Sequence, residues 1–335
     1  MLDLDQYAFR GLHPDVFLGA ASDRYAGWLG QVYTADRYAG RLTRRTHKVG
    51  GKSYVEQVLP VDSVSEYYEH FGLVELDFTF YRPLAAADGK PTQTYSLLQQ
   101  YRQFLQDDDR IILKVPQVVF AQKLYRAGDF IDNPDYLSPD LFRRQFYEPA
   151  DDLFGPLLVA MVFEQEYQKQ GQRMDAAEFA QELGRFFRMV PIDSRYHVEL
   201  RTESYLSKPV FDVLQEFGIG QVLSHWTWLP SLNRQFALAG RRFFNSGGQC
   251  VVRLMTPRRV RYENAYAMAY PFDRLVNDML DPQMLEETVQ LMHTAIREKI
   301  QINIVVNNRS GGNAPQIAKQ IAGRFIESHT SDGRN

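Results

Sequence analysis

Seven strongly polar residues stand at or near the carboxyl ends of apolar segments. They are Glu75 and Asp77 in GLVELDFTFY, Lys114 in RIILKVP, Glu199 and Arg201 in YHVELR, Arg253 in CVVRLM and Asn307 in INIVVNN. Segments of Val, Ile and Leu do not ordinarily end in charge, because a buried charge is costly unless it is paired or used. A carboxylate in such a place can serve as a general acid or base, its pKa set by its neighbours. Glu75 and Glu199 are the expected catalytic pair. Arg201, Arg253 and Lys114 suit an anionic group, arginine most of all, since its donors form a planar fork that matches carboxylate or phosphate. Asn307, Asn308, Asp77 and the rings of Tyr25 and Tyr81 complete the expected ligand-binding set. The same residues also fit a closed ion-pair network, for example Glu199 with Arg253 and Glu75 with Lys114, that satisfies itself without chemistry.

These residues meet only if their segments do. Eight short runs have strand character: Val16–Ala21, Leu73–Phe78, Ile111–Val115, Leu157–Phe163, Tyr196–Arg201, Gly220–Ser224, Cys250–Met255 and Ile302–Asn307. Most are apolar nearly throughout, as in a parallel sheet covered on both faces. Helical patterns alternate with them at Val61–Phe71, Thr94–Gln106, Pro139–Leu153, Asp175–Met189, Lys208–Phe217, Pro230–Phe243, Pro282–Lys299 and Pro315–Phe325. Ser138-Pro139, Ser207-Lys208-Pro209 and Asp281-Pro282 place a capping residue before a proline. Eight strands alternating with eight helices predict an α/β fold of the TIM type, a (β/α)8 barrel in a single domain. An open doubly wound sheet is the competing arrangement, weakened by the absence of Gly-x-Gly-x-x-Gly after the first strand. Side chains alternate along a strand, so Glu75, Asp77 and Thr79 are expected on one face. His197, Glu199 and Arg201 are grouped in the same way.

The barrel domain is expected over residues 16–327, after a lead-in of residues 1–15 and before a frayed tail of residues 328–335. Residues 34–59, between the first strand and the first helix, form an insertion carrying Arg37, Arg41, Arg44, Arg45, Lys48 and Lys52 against Asp36 and Glu56. It reads either as a solvated hairpin or as a basic flap that draws an anion to the barrel mouth. A long segment, Pro116–Pro134, carries Lys123 and Arg126. Aromatic residues follow most of the strands, among them Trp28, Phe80, Trp226, Trp228 and Tyr262.

The chain has 335 residues, 44% apolar and 24% charged, with a net charge of −3. That near-neutral balance creates no global field for nucleic acid or acidic lipid. A single cysteine, Cys250, excludes an internal disulfide framework and a cysteine metal cluster. The histidines are scattered, with no His-x-His pair and no His-Glu-x-x-His, so no metal and no cofactor is expected. The N-terminal MLDLDQYAFRGLHPD lacks the build of a signal peptide, and no apolar run reaches the roughly 20 residues of a membrane span. A cytoplasmic protein is expected, with no membrane partner and an oligomeric state that composition leaves open. The run Asn308-Arg-Ser-Gly-Gly-Asn313 is a weak phosphate-loop candidate after the eighth strand.

The chain resembles the YecE-like family, domain of unknown function 72. The resemblance is carried in order by Leu18-Gly19 with Tyr25, Trp28, Gly30 and Tyr33; by Tyr68, Phe71, Val74-Glu75 and Thr79-Phe80-Tyr81; and by Lys114. It continues through Gly155-Pro156 with Leu158, Val198-Glu199-Leu200-Arg201, Val252-Arg253-Leu254, and Asn307-Asn308 followed by Ala314. It spans about Val16 to Phe325 and implies a TIM-type barrel but no reaction. It also implies that Glu75, Lys114, Glu199, Arg201, Arg253 and the Asn pair are typical of the family. The chain departs from the pattern at Asp23, at Asp77-Phe78, at Phe120-Ala121, at Ala160 and Val162, and at Met255, as a divergent member does.

The leading expectation is a barrel protein that binds a small anionic ligand, bearing phosphate or carboxylate, at the mouth. Any catalysis there would be metal-independent acid/base chemistry. The alternatives are a barrel that binds nucleic acid or processes phosphodiesters, drawing on the basic insertion and the rings, and a non-catalytic scaffold.

Overall fold

The structure is a computed structural model that describes residues 2–126, 129–171 and 173–332. The described strands are β1 (Val16–Ala21), β2 (Thr43–Val49), β3 (Lys52–Val58), β4 (Leu73–Leu76), β5 (Arg110–Lys114), β6 (Lys123–Arg126), β7 (Asp129–Asp132), β8 (Leu158–Glu164), β9 (Tyr196–Glu199), β10 (Gly220–His225), β11 (Gln249–Leu254) and β12 (Gln301–Val306). Eight of them close in the order β1-β12-β11-β10-β9-β8-β5-β4. Every neighbouring pair in that ring is parallel. This is the (β/α)8 barrel expected from the sequence, and the expected strand centres are all present.

The near-continuous apolar runs have a simple cause. Each barrel strand is covered by helices outside and by other strands' side chains inside, so β8 is buried at every position from Leu158 to Glu164. One apolar cluster lies between strands and helices. A smaller one fills the barrel interior with Ala21, Leu73, Ile112, Ala160, Val162, Val222, Val251 and Val305. Toward the amino-terminal side of the barrel interior, the His197 ring packs against Gly220. A Cβ on that glycine would stand 2.2 Å from the imidazole, so only glycine leaves room for the ring.

Two of the three expected caps form, and Asp175 adds another. Ser138 and Asp281, each before a proline, accept from Leu141 N–H and Gln283 N–H, and Asp175 accepts from Ala177 N–H. Ser207 precedes its helix without making a side-chain cap. Some elements were not expected. A helix spans Tyr262–Ala269, and a second hairpin, β6–β7, occupies the long segment after β5. The helix expected at Pro230–Phe243 is confined to Leu232–Leu238, and that expected at Thr94–Gln106 to Gln93–Arg102. The last helix runs to Asp332, into the stretch read as a frayed tail, whose end at 333–335 lies outside the described residues. Among the described residues no helix is long and apolar enough to cross a membrane.

The basic insertion forms the antiparallel hairpin β2–β3. It packs on the unexpected helix through Tyr54, whose ring centroid lies 4.8 Å from that of Tyr266 and 5.2 Å from that of Tyr270. Tyr270 Oη donates to Val55 O at 2.8 Å, and Tyr266 Oη donates to Glu56. The hairpin is therefore strapped to the loop segment that follows β11, at the carboxyl end of the barrel.

Candidate functional site

Arg253, on β11, is the centre of a polar network at the carboxyl end of the barrel. Its Nε and Nη2 donate to the two oxygens of Glu75, each at 2.7 Å, as a bidentate pair. Its Nη1 donates to Glu164 Oε2 at 3.2 Å and also to Glu199 Oε2. Arg201 Nη2 lies 2.8 Å from Glu164 Oε2 and 3.4 Å from Glu199. Lys114 Nζ lies 2.5 Å from that same Glu164 Oε2. Three cations thus converge on one carboxylate oxygen, and three acids and three bases form one connected set.

Strand register explains the arrangement. Glu164 and Glu199 are direct neighbours across β8 and β9. Two carboxylates side by side repel, so the pairing persists only because cations reach it from β5, β11 and the end of β9. Local contacts hold two of these cations in place. Thr79 Oγ1 donates to Lys114 O at 2.7 Å and accepts from Lys114 N at 3.1 Å. Gln165 Oε1 accepts from Arg201 N at 3.1 Å and from Thr202 N at 3.0 Å.

Burial divides the set. Glu75, Glu199 and Arg253 are 0% exposed, whereas Lys114 and Glu164 each keep 6%. The Arg201 side chain keeps 15%. Burial pushes the Glu75 carboxyl up, with Arg253 opposing. At Glu164 burial is outweighed by Arg201, Lys114 and Arg253, which hold it below the usual carboxylate range. Burial lowers the Lys114 amine, with Glu164 opposing and the Arg253 and Arg201 charges lowering it further. At Arg253 burial works against the charge, but Glu199, Glu75 and Glu164 together raise its pKa well above the ordinary value.

The structure therefore brings Glu75, Lys114, Glu199, Arg201 and Arg253 together, and of the two pairs expected it forms Glu199 with Arg253 but not Glu75 with Lys114. Glu75 pairs with Arg253 rather than with Lys114, which pairs with Glu164. Glu75 and Glu199 have no exposed surface, and their oxygens are engaged by Arg253 and Arg201. Glu164 is the residue that the sequence reading missed. Its signal was present, because Ala160, Val162 and Glu164 alternate on the inward face of β8, but the strand was ended one residue early, at Phe163.

Asp77 corrects a second expectation. β4 ends at Leu76, and Asp77–Tyr81 coil into a short 3-10 helix, so strand alternation no longer places Asp77 beside Glu75. Asp77 stands near Tyr81, which is 66% exposed. Tyr25 borders a cavity of about 510 Å³ between the hairpin and the Tyr270–Asp273 turn, also lined by Arg44, Glu56 and Phe272.

The Asn pair has a structural role on one side and open donors on the other. Asn307 Oδ1 accepts from Arg309 N at 3.0 Å. Asn308 Oδ1 accepts from Trp28 Nε1 at 3.1 Å and from Ala314 N at 2.8 Å. These donors set the amide orientations, so both Nδ2 groups point elsewhere. Asn307 Nδ2, Asn308 Nδ2, Arg309 Nε and Arg201 Nε are buried atoms without a partner among the described residues. Rings flank the cations: Arg201 lies 4.9 Å from the Trp226 centroid, Arg309 4.6 Å from Tyr262 and Lys114 Nζ 3.8 Å from Phe80. On the hairpin side, Arg41 pairs with Asp62 and Arg45 with Glu56, both at 2.8 Å, and Arg37 lies 3.7 Å from Glu66.

Asp23, just past β1, is fully buried. Tyr101 Oη donates to its Oδ1 at 2.7 Å, and Oδ2 has no partner among the described residues. Burial raises its pKa to about 6, with Arg24 and Tyr101 opposing. A raised carboxyl stabilises the fold below the unfolded pKa, and that stability is lost as pH climbs through about 6. Asp23→Asn is expected to stabilise the protein at pH 8 by up to about 2–3 kcal/mol. Its stability should also lose the rise otherwise seen between pH 6 and 4. Urea unfolding of both proteins at pH 8 and pH 5 measures this, and equal differences at the two pH values would exclude it.

Residues 18–333 match a family described as "Protein of unknown function DUF72". A DUF72 family protein from Thermotoga maritima aligns with a TM-score of 0.54 at 16% identity, covering 93% of this chain and 99% of that one. A DUF72 family protein from Enterococcus faecalis aligns with a TM-score of 0.53 at 14% identity, covering 94% and 98%. At these identities the likeness to the solved structures is one of fold. No curated protein matches the chain.

Proposed function

We propose that this chain, which belongs to the DUF72 family of proteins of unknown function, binds a small ligand bearing a carboxylate or phosphate at the open end of its barrel. The observation that carries the reading is the surplus of donors there: Arg201 Nε, Asn307 Nδ2, Asn308 Nδ2 and Arg309 Nε are buried and lack protein acceptors among the described residues. Buried donors without acceptors are unfavourable in a ligand-free site and favour an anion. Arg201 and Lys114 keep some exposure in the network, and Asn307, Asn308 and Arg309 follow β12 at the same end of the barrel, the Asn pair buried. Trp226, Tyr81 and Tyr262 supply ring surface for the rest of the ligand. In this reading Glu75 and Glu199 are positioning residues. They hold Arg253 charged and aligned, and any acid/base chemistry falls to Glu164 and Lys114, which keep some exposure. Such chemistry needs no metal.

Calorimetric titration of the full chain with inorganic phosphate and with small carboxylates tests the reading. Arg201→Met should weaken binding about tenfold or more, the usual worth of a charged hydrogen bond. Silence of the unaltered protein toward every such anion, or equal affinity in the variant, would remove the proposal. The nucleic-acid alternative draws on the hairpin, where Arg37, Arg41 and Arg45 already face acids. It predicts oligonucleotide binding that weakens steeply with salt.

A further inference from the structure

We infer that the Lys114 amine is a nucleophile that condenses with a carbonyl compound to form an imine. Several observations converge on this one amine. It stands at the carboxyl end of a barrel strand, where such folds place their chemistry. Glu164 Oε2 is shared by Lys114 Nζ at 2.5 Å, Arg201 Nη2 at 2.8 Å and Arg253 Nη1 at 3.2 Å. One carboxylate oxygen therefore answers three cations. Arginine does not release its proton in proteins, so of the three cations on that oxygen only the lysine can become neutral. A lysine desolvated and set beside other cations is the standard activated amine. Burial and the two guanidiniums lower its pKa, in agreement with the geometry. Unlike Glu75, Glu199 and Arg253, it is not wholly enclosed.

The step balances without an added oxidant or reductant. The ammonium first gives its proton to solvent, leaving the free amine. The nitrogen lone pair attacks the carbonyl carbon, and the C=O π pair moves to oxygen. Transfer of one proton from nitrogen to that oxygen gives the hydroxyl of a carbinolamine, and a second proton, from solvent, lets it leave as water while the nitrogen lone pair forms the C=N bond of a protonated imine. The anion reading enters only in the choice of substrate: if it holds, the fitting class is a small aldehyde or ketone that also bears a carboxylate or phosphate. The nucleophile stands without it.

The test treats the full chain at pH 7 with glyoxylate, which is anionic, and separately with acetaldehyde, which is neutral. Sodium cyanoborohydride reduces any imine to a stable secondary amine, and peptide mass spectrometry locates it. Lys114 is expected to be alkylated faster than Lys208 at pH 7, since a lowered pKa raises the free-amine fraction. Lys208 is the proper reference because its side chain is 83% exposed. Lys114→Met should lose the label from that peptide alone. If that variant does not fold, the pH profile in the unaltered protein decides, because labelling of Lys114 should level off at lower pH than that of Lys208. Failure of both probes to label Lys114 faster than Lys208 overturns the inference, even if phosphate binds. Rapid labelling by acetaldehyde, with no advantage for glyoxylate and no protection by phosphate, would uphold the nucleophile and overturn the anion reading.

Discussion

Arg253→Met is expected to destabilise the protein by about 3–5 kcal/mol, the usual cost of removing one partner from a buried ion pair. The size follows from what the substitution leaves behind. Both oxygens of Glu75 are held by Arg253 at 2.7 Å, and Glu199 is held by the same guanidinium. Glu75 and Glu199 have no exposed surface, so water cannot replace the lost donors. Arg253→Lys should recover only part of the loss, because a point charge cannot make the bidentate contact. The defect should also depend on pH. Without Arg253 the carboxyl of Glu75, already raised by burial, rises further. A raised carboxyl contributes stability below its unfolded pKa and loses it as pH increases, so the variant should be less impaired near pH 5 than near pH 8. Urea unfolding at the two pH values is the check. A loss under 1 kcal/mol at pH 8 would mean that the network is not a single coupled unit.

Glu164→Gln is expected to act on stability and on binding in opposite directions. The carboxylate is the shared acceptor of Lys114, Arg201 and Arg253. Its loss should lower stability by about 1.5–3 kcal/mol, as for hydrogen bonds to charged groups. The three cations then lack their common counter-ion, and phosphate affinity should rise about tenfold or more on Coulomb grounds. The sign with pH is the reverse of that for Glu75. The Glu164 carboxyl is held below its ordinary value, so its contribution is present above the unfolded pKa and fades as pH falls through the folded one. The variant should therefore lose less relative to the unaltered protein at low pH than at pH 7. Phosphate affinity that is unchanged or weaker in the variant would show that the anion does not sit against these cations.

The strand pattern was legible because it follows from burial alone. A strand covered on both faces must be apolar throughout, and β1 appears with the bounds read from its residues. The charged strand ends were legible for the same reason, since Lys114 and Arg253 interrupt runs that are otherwise Val, Ile and Leu. Glu164 was passed over although it obeys the same alternation, because Phe163 was taken as the end of the run. The Tyr262–Ala269 helix gave little notice. It lies in a loop, its apolar face is short, and the hairpin that packs on it comes from far away in sequence.

Local patterning, then, was enough to establish a barrel with acids and bases gathered at one end. Which acid meets which base, and how deep each lies, came only with closure of the ring. Arg253 and Glu75 are 178 positions apart in the chain. Their pairing depends on strand register around the whole barrel, and no neighbouring residue encodes that register. Depth matters as much, because the strength of a charge interaction depends on separation and on the surrounding dielectric. Both are properties of the folded interior, which is why Glu75 and Glu199, expected at the surface of the site, lie beneath it.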